Sequence, residues 1–219
     1  MDWMAFYLSL KLAACTMIIL LFVGLLIARF LAWRQFRGKA FVEAMVALPL
    51  VLPPTVLGFY LLSFMGKGSW LGGFYESVTG NTLVFSFAGL LIASLIYSLP
   101  FAVQPMLRAF EAIPKKLREA AWCSGLDRWK TFFKIELPLA WPGILSGMVL
   151  AFAHTLGEFG VVLMLGGNIP GETRTISIAI FDQVQSFNDE SAKIMSLVLL
   201  IFAFATISLV FLLNKRRPS

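Results

Sequence analysis

Stretches of roughly 20 apolar residues, each long enough to cross a hydrocarbon core of about 30 Å, recur along this chain between short polar or basic segments. The hydrophobicity is partitioned into membrane spans. A first span is expected over 12–33, with Lys11 at one end and Arg29 able to snorkel at the other. The link Arg34-Gln35-Phe36-Arg37-Gly38-Lys39 is basic, and an excess of Lys and Arg marks a short cytoplasmic loop.

A second span over 44–65 carries Pro49, Pro53 and Pro54. Each removes a helix hydrogen bond and disfavours helix in the residue before it, so this span is expected to be kinked or broken. Disrupted backbone survives in lipid only against protein or beside a water-filled cavity, which turns the span toward the interior of an assembly; the alternative is a lipid-facing proline kink without function. The glycine-rich segment 66–81 holds one Lys and one Glu and reads as an external loop. A third span, 82–105, returns the chain to the cytoplasm.

Segment 106–138 is the most basic: Arg108, Lys115, Lys116, Arg118, Arg128, Lys130 and Lys134 stand against Glu111, Glu119, Asp127 and Glu136. It is expected to be cytoplasmic. A fourth span over 139–165 places Pro142 in its first turn, and a polar, glycine-containing external stretch follows to about 190. The last span, 194–213, ends in Lys215-Arg216-Arg217. Crossings alternate only with the N-terminus outside and the C-terminus in the cytoplasm, giving five spans, or six if the apolar run 176–181 re-enters the bilayer. The expected class is an all-α, polytopic transmembrane helical bundle in one domain, 1–219.

Composition agrees. With 219 residues, 59% hydrophobic and 14% charged, the chain has too few polar residues to cover a water-soluble globule. The net charge of +6 sits at the ends of apolar stretches, where it orients the chain and calls for no nucleic acid. The first apolar stretch is too long for a signal peptide, and it lacks a basic leader and a small-x-small cleavage site. Cys15 and Cys123 lack CxxC spacing and there is a single His, so neither a disulfide framework nor a metal site is expected.

Within the basic loop, Pro114 suits a helix start, Gly125 a left-handed stop, Asp127 a new N-cap, and Pro138 the end of the second piece. Leu117, Ala120, Ala121 and Ser124 recur at three- and four-residue spacing, making a face of small side chains that another surface can approach closely. Trp129, Phe132 and Phe133 supply bulk, as a docking knob or an interfacial anchor. The plainer reading is a basic amphipathic loop on lipid headgroups.

Glu119-Ala120-Ala121, three residues, Gly125, nine residues, then Ile135-x-Leu137-Pro138 resembles the EAA loop of type I ABC importer permeases. The resemblance implies a MetI-like fold in which the first loop helix is a coupling helix seated in a cleft of a separate ATPase subunit. Glu119, Ala120, Ala121 and Gly125 would form the mechanical joint, with Glu119 pairing to a basic group on the partner or a nearby Arg. Gly66-Lys67-Gly68-Ser69 lacks the upstream Gly and the Lys-Ser/Thr pair of a Walker A loop, so no cofactor is expected in this chain and ATP-Mg belongs to the partner ATPase.

The stretch from His154 through Gly157-Glu158-Phe159-Gly160 to Thr175 is similar to molybdate permeases, the ModB family; sulfate and tungstate permeases carry related sequences. This implies import of molybdate or tungstate across the cell inner membrane, with a sulfate or thiosulfate importer as the alternative. The implied partners are a second copy of the chain, two copies of a cytoplasmic ABC ATPase, and a periplasmic or extracellular oxyanion-binding protein.

His154 and Glu158 fall one helical turn apart on a span, and ionisable groups inside a membrane are costly enough to be functional candidates. They serve either a gate or the locking of helix packing or dimer contact. A buried carboxylate repels an oxyanion, so Glu158 is expected to be paired or neutralised instead of binding substrate. Gly157, Gly160, Gly166 and Gly167 permit close backbone contact or hinge motion. The external loop 166–175, with Arg174, offers a surface for a loaded binding protein, or is a plain connecting turn. An ion-coupled secondary transporter would need internal repeats and midplane ion ligands, and a membrane enzyme a clustered nucleophile, base or metal set; the chain supplies neither pattern.

Overall fold

The computed structural model describes residues 1–215; Arg216 and Arg217 of the expected basic C-terminal cluster lie outside them. Helix α1, Trp3–Trp33, begins well before the expected boundary because Asp2 caps it, accepting the Ala5 N–H at 2.9 Å. Helices α2 (Lys39–Val51) and α3 (Pro54–Met65) meet at a 111° bend at Leu52-Pro53. Pro53 has no N–H to continue α2 and Pro54 suits the first position of α3, so the proline-rich span is broken as expected.

The expected external loop 66–81 contains a ten-residue helix, α4, Trp70–Thr79. Ser69 caps it by accepting the Gly72 N–H at 3.0 Å, a local signal that the glycine content obscured. Helix α5, Phe87–Glu111, starts behind the Ser86 cap and continues through Pro100 and Pro105. Helix α6 (Lys115–Cys123) is followed by α7 (Arg128–Thr131), a π turn (Phe132–Glu136) and α8 (Leu137–Gly157). The expected fourth span, 139–165, is interrupted: α8 stops at Gly157 and a separate short helix, α9, runs Gly160–Gly166. Helices α10 (Ile176–Gln185) and α11 (Asp189–Lys215) complete the order.

Among the described residues four helical stretches are long and apolar enough to cross a membrane, and a fifth if the bent α2–α3 pair counts as one span. The ten residues of α10 rise only about 15 Å, half a hydrocarbon core. The main core lies between α1, α5 and α8, where Leu20, Ala28, Val103, Met106, Phe110 and Ile144 are buried. Helices α5 and α8 cross closely: a Cβ at Gly147 would come within 2.5 Å of the Ala102 carbonyl oxygen, so only glycine fits there. A second core joins α3, α5 and α9 through Leu57, Met65, Ala93, Val161 and Leu165.

Candidate functional site

The loop between α5 and α8 is built from local signals. Pro114 precedes α6, Gly125 turns the chain at φ +79°, and Asp127 caps α7 by accepting the Lys130 N–H at 2.7 Å. That hydrogen bond, ahead of the Lys130 charge, holds the Asp127 carboxyl below its ordinary pKa. Pro138 does not end the second piece. The Leu137 N–H reaches back five residues to the Phe132 carbonyl, and this widened π turn lets Pro138, which has no N–H, enter the first turn of α8. Residues 128–157 thus form one continuous helix, with Pro142 in its interior instead of its first turn.

The small-residue face of α6 is divided. Leu117 and Ala120 are exposed, as is Glu119, whereas Ala121 is buried against its own chain. Trp129 and Phe133 are exposed and stacked at 6.4 Å, but Phe132 is buried in the main core and belongs to no docking knob. Of the remaining motif residues, Ile135 and Leu137 are half-buried and Pro138 is exposed.

A carboxylate that in the sequence is only one of the loop's four acidic residues organises this region. Glu136, buried by the π turn, accepts the Arg118 Nε–H at 2.8 Å on Oε1 and the Arg29 Nε–H at 2.6 Å on Oε2. Arg29 therefore turns inward, over the Phe132 ring at 4.7 Å, instead of snorkelling. Arg118 lies 3.8 Å from the centre of the Trp33 ring, and α6 is clamped to both α1 and α8. Glu119 makes no ion pair among the described residues; Glu136 takes the nearby Arg instead.

The second candidate region surrounds the break after α8. Glu158 has an extended backbone and a fully buried carboxylate that accepts Ser94 Oγ–H at 2.6 Å and Ser98 Oγ–H at 2.9 Å, both from α5. Ser98 Oγ is also within hydrogen-bond distance of Thr155 Oγ1, at 2.8 Å, and of His154 Nδ1, at 2.9 Å. His154 Nδ1 also lies 3.4 Å from Glu158 Oε1. The imidazole stacks on Phe101 at 3.9 Å and meets Tyr97 edge-on at 4.6 Å. The Glu158 carboxylate at the α8 break is thus held by two α5 hydroxyls.

The two broken spans touch at their breaks. A Cβ at Gly160 would stand 2.9 Å from Pro54 Cβ, and one at Gly58 would stand 2.9 Å from Met164 Cβ. At Gly157, by contrast, nothing comes near. Gly166 is buried between Leu90 and Thr173, whose hydroxyl donates to the Gly166 carbonyl at 2.6 Å. Gly167 follows at φ +63°. Arg174 donates Nε–H to Asn168 Oδ1 at 2.6 Å and lies 3.5 Å from Asp182 and 3.8 Å from Asp2, tying the loop to α10 and the N-terminus.

The sequence pattern of binding-protein-dependent transport system inner membrane components matches residues 14–217. The chain belongs to this family. A molybdenum transport system permease protein of Azotobacter vinelandii is 49% identical over 203 residues, 93% of this chain and 90% of that one. A chain of Chlorella vulgaris named as a "probable sulfate transport system permease protein" is 32% identical over 206 residues, 94% of this permease and 77% of that one. A bacterial alginate ABC transporter in complex with an alginate pentasaccharide-bound periplasmic protein matches with a TM-score of 0.79 at 18% identity, over 97% of this chain and 78% of that one. The fold is therefore that of a type I ABC importer permease, and this permease is a multi-pass membrane protein.

Proposed function

We propose that this permease forms half of the pathway of a molybdate importer, as a homodimer with two copies of a cytoplasmic ABC ATPase and an external oxyanion-binding protein. The observation that carries the reading is the 49% identity along nearly the whole chain to a molybdenum transport permease. The basic residues of segment 34–39 and of α6–α7 favour a cytoplasmic placement of both, with the N-terminus outside and the C-terminus inside. ATP-Mg binds the ATPase, and this chain carries out no covalent chemistry.

A contiguous set of contacts supports the mechanical part. The exposed Ala120 surface of α6 seats in the ATPase; Arg118 passes its movement to Glu136, and thereby to α1 and to the continuous helix 128–157. The far end of that helix is the Glu158 break, from which α9 leans on Pro54 of the other broken span. Nucleotide-driven closure would reposition two helix breaks at once and so alternate access to the pathway. Arg174 and loop 166–175 supply the outer surface for the binding protein.

The test is ATP-dependent molybdate uptake into vesicles holding the assembled complex, with tungstate and sulfate as competitors. Molybdate and tungstate should compete and sulfate should not, and Ala120→Trp or Gly125→Val should abolish uptake and ATPase stimulation. Preferential sulfate uptake would reassign the substrate; full activity in both variants would sink the coupling role of α6.

A further inference from the structure

Four guanidinium groups, from Arg29, Arg34, Arg118 and Arg128, surround one pocket of about 630 Å³ at the end of α1 beside α6, against the single carboxylate of Glu136. Arg29 and Arg118 are engaged by that carboxylate. Arg34 and Arg128 are exposed and make no ion pair among the described residues, so the pocket retains uncompensated positive charge. Its walls include Trp33 and Trp122, side chains suited to the boundary between headgroups and acyl chains.

The pocket continues into an apolar track. Phe22, Leu26 and Phe30 recur at four-residue spacing on α1, a spacing that leads on to Arg34. They are 62%, 68% and 52% exposed, and Leu26 and Phe30 also line the pocket. A soluble anion would use the arginines and leave this track unused. A phospholipid uses both, with its phosphate among the guanidiniums and an acyl chain along α1.

We propose that this pocket binds the phosphate of an anionic phospholipid and thereby anchors the α1–α6 junction to the membrane. Arg34 and Arg128 supply the charge, in the way basic pockets between membrane helices take acidic headgroups. The leaflet rests on the cytoplasmic placement of α6 proposed above; binding measured in detergent does not, so the two readings fail separately.

The purified permease–ATPase complex in neutral detergent would be titrated with phosphatidylglycerol, phosphatidylcholine and inorganic phosphate, and retained lipid counted by native mass spectrometry. Phosphatidylglycerol should bind in preference to phosphatidylcholine, and R34Q/R128Q should weaken it by roughly tenfold or more with the complex still assembled. R34K/R128K should keep most of the affinity, and L26Q/F30Q should weaken lipid but not inorganic phosphate. Unchanged phosphatidylglycerol affinity in R34Q/R128Q would overturn the proposal. So would inorganic phosphate binding as tightly as the lipid, which would assign the pocket to a soluble oxyanion.

Discussion

Arg118, on the exposed loop helix, donates its Nε–H to Glu136 at 2.8 Å, and the carboxylate that receives it is wholly buried in a π turn. Arg29 of α1 occupies the other oxygen, so one carboxylate joins the loop helix α6 to two membrane helices. The pairing is charge-assisted and desolvated on the Glu136 side, while the arginines remain partly solvated, which lowers its net worth.

Glu136→Gln should destabilise the complex by roughly 1–3 kcal/mol, read as a lower thermal midpoint. It should also reduce the ATPase stimulation caused by loaded binding protein. In a double-mutant cycle with Arg118→Met the two effects should fall short of additive, because both remove one contact. Strict additivity would show that the pair transmits nothing.

At the α8 break, Glu158→Ala should cost more than Glu158→Gln, by about 1–2 kcal/mol, because the smaller side chain strands the Ser94 and Ser98 hydroxyls. Both variants should lower the maximal uptake rate and leave the half-saturating molybdate concentration unchanged. A large rise in that concentration would make Glu158 a substrate contact.

Gly160→Val should jam the junction with Pro54, where even a Cβ meets its neighbour at 2.9 Å. Overpacking of this kind costs about 1–3 kcal/mol, and uptake should be lost while assembly with the ATPase persists. Gly157→Ala is the control, since nothing beyond its own stretch of helix lies within 4 Å of its Cβ position. Equal uptake in both variants would remove the meeting of the breaks from the mechanism.

Asp127 carries a pH dependence. Its carboxyl is held below the ordinary value of about 3.9, chiefly by the Lys130 backbone N–H. A depressed folded-state pKa stabilises the cap above the unfolded value, and the contribution disappears as pH falls through the folded one. Amide protection over 128–131, corrected for intrinsic exchange, should therefore be full at neutral pH and decline below about pH 4. Asp127→Asn should keep that protection without the acid decline, and Asp127→Ala should lack it throughout. Wild-type protection in Asp127→Ala at every pH would show the cap to be irrelevant.

The amino-acid sequence alone determined the features with local causes. Apolar runs set where helices cross, Pro53 and Pro54 broke the second span, and Gly125 and Asp127 set the turn and cap of the loop. The tertiary structure decided what depends on residues distant in the chain. Glu136 finds Arg29 from 107 positions away, Glu158 finds Ser94 from 64, and Pro54 reaches Gly160 across the molecule. It also turned Ala121 and Phe132 inward from a loop whose pattern suggested an outward face. The physical reason is that a helix cap or a proline break acts through backbone groups a few residues apart. The partner of a buried charge, by contrast, is set by which helix faces pack together, and hydropathy does not encode that choice.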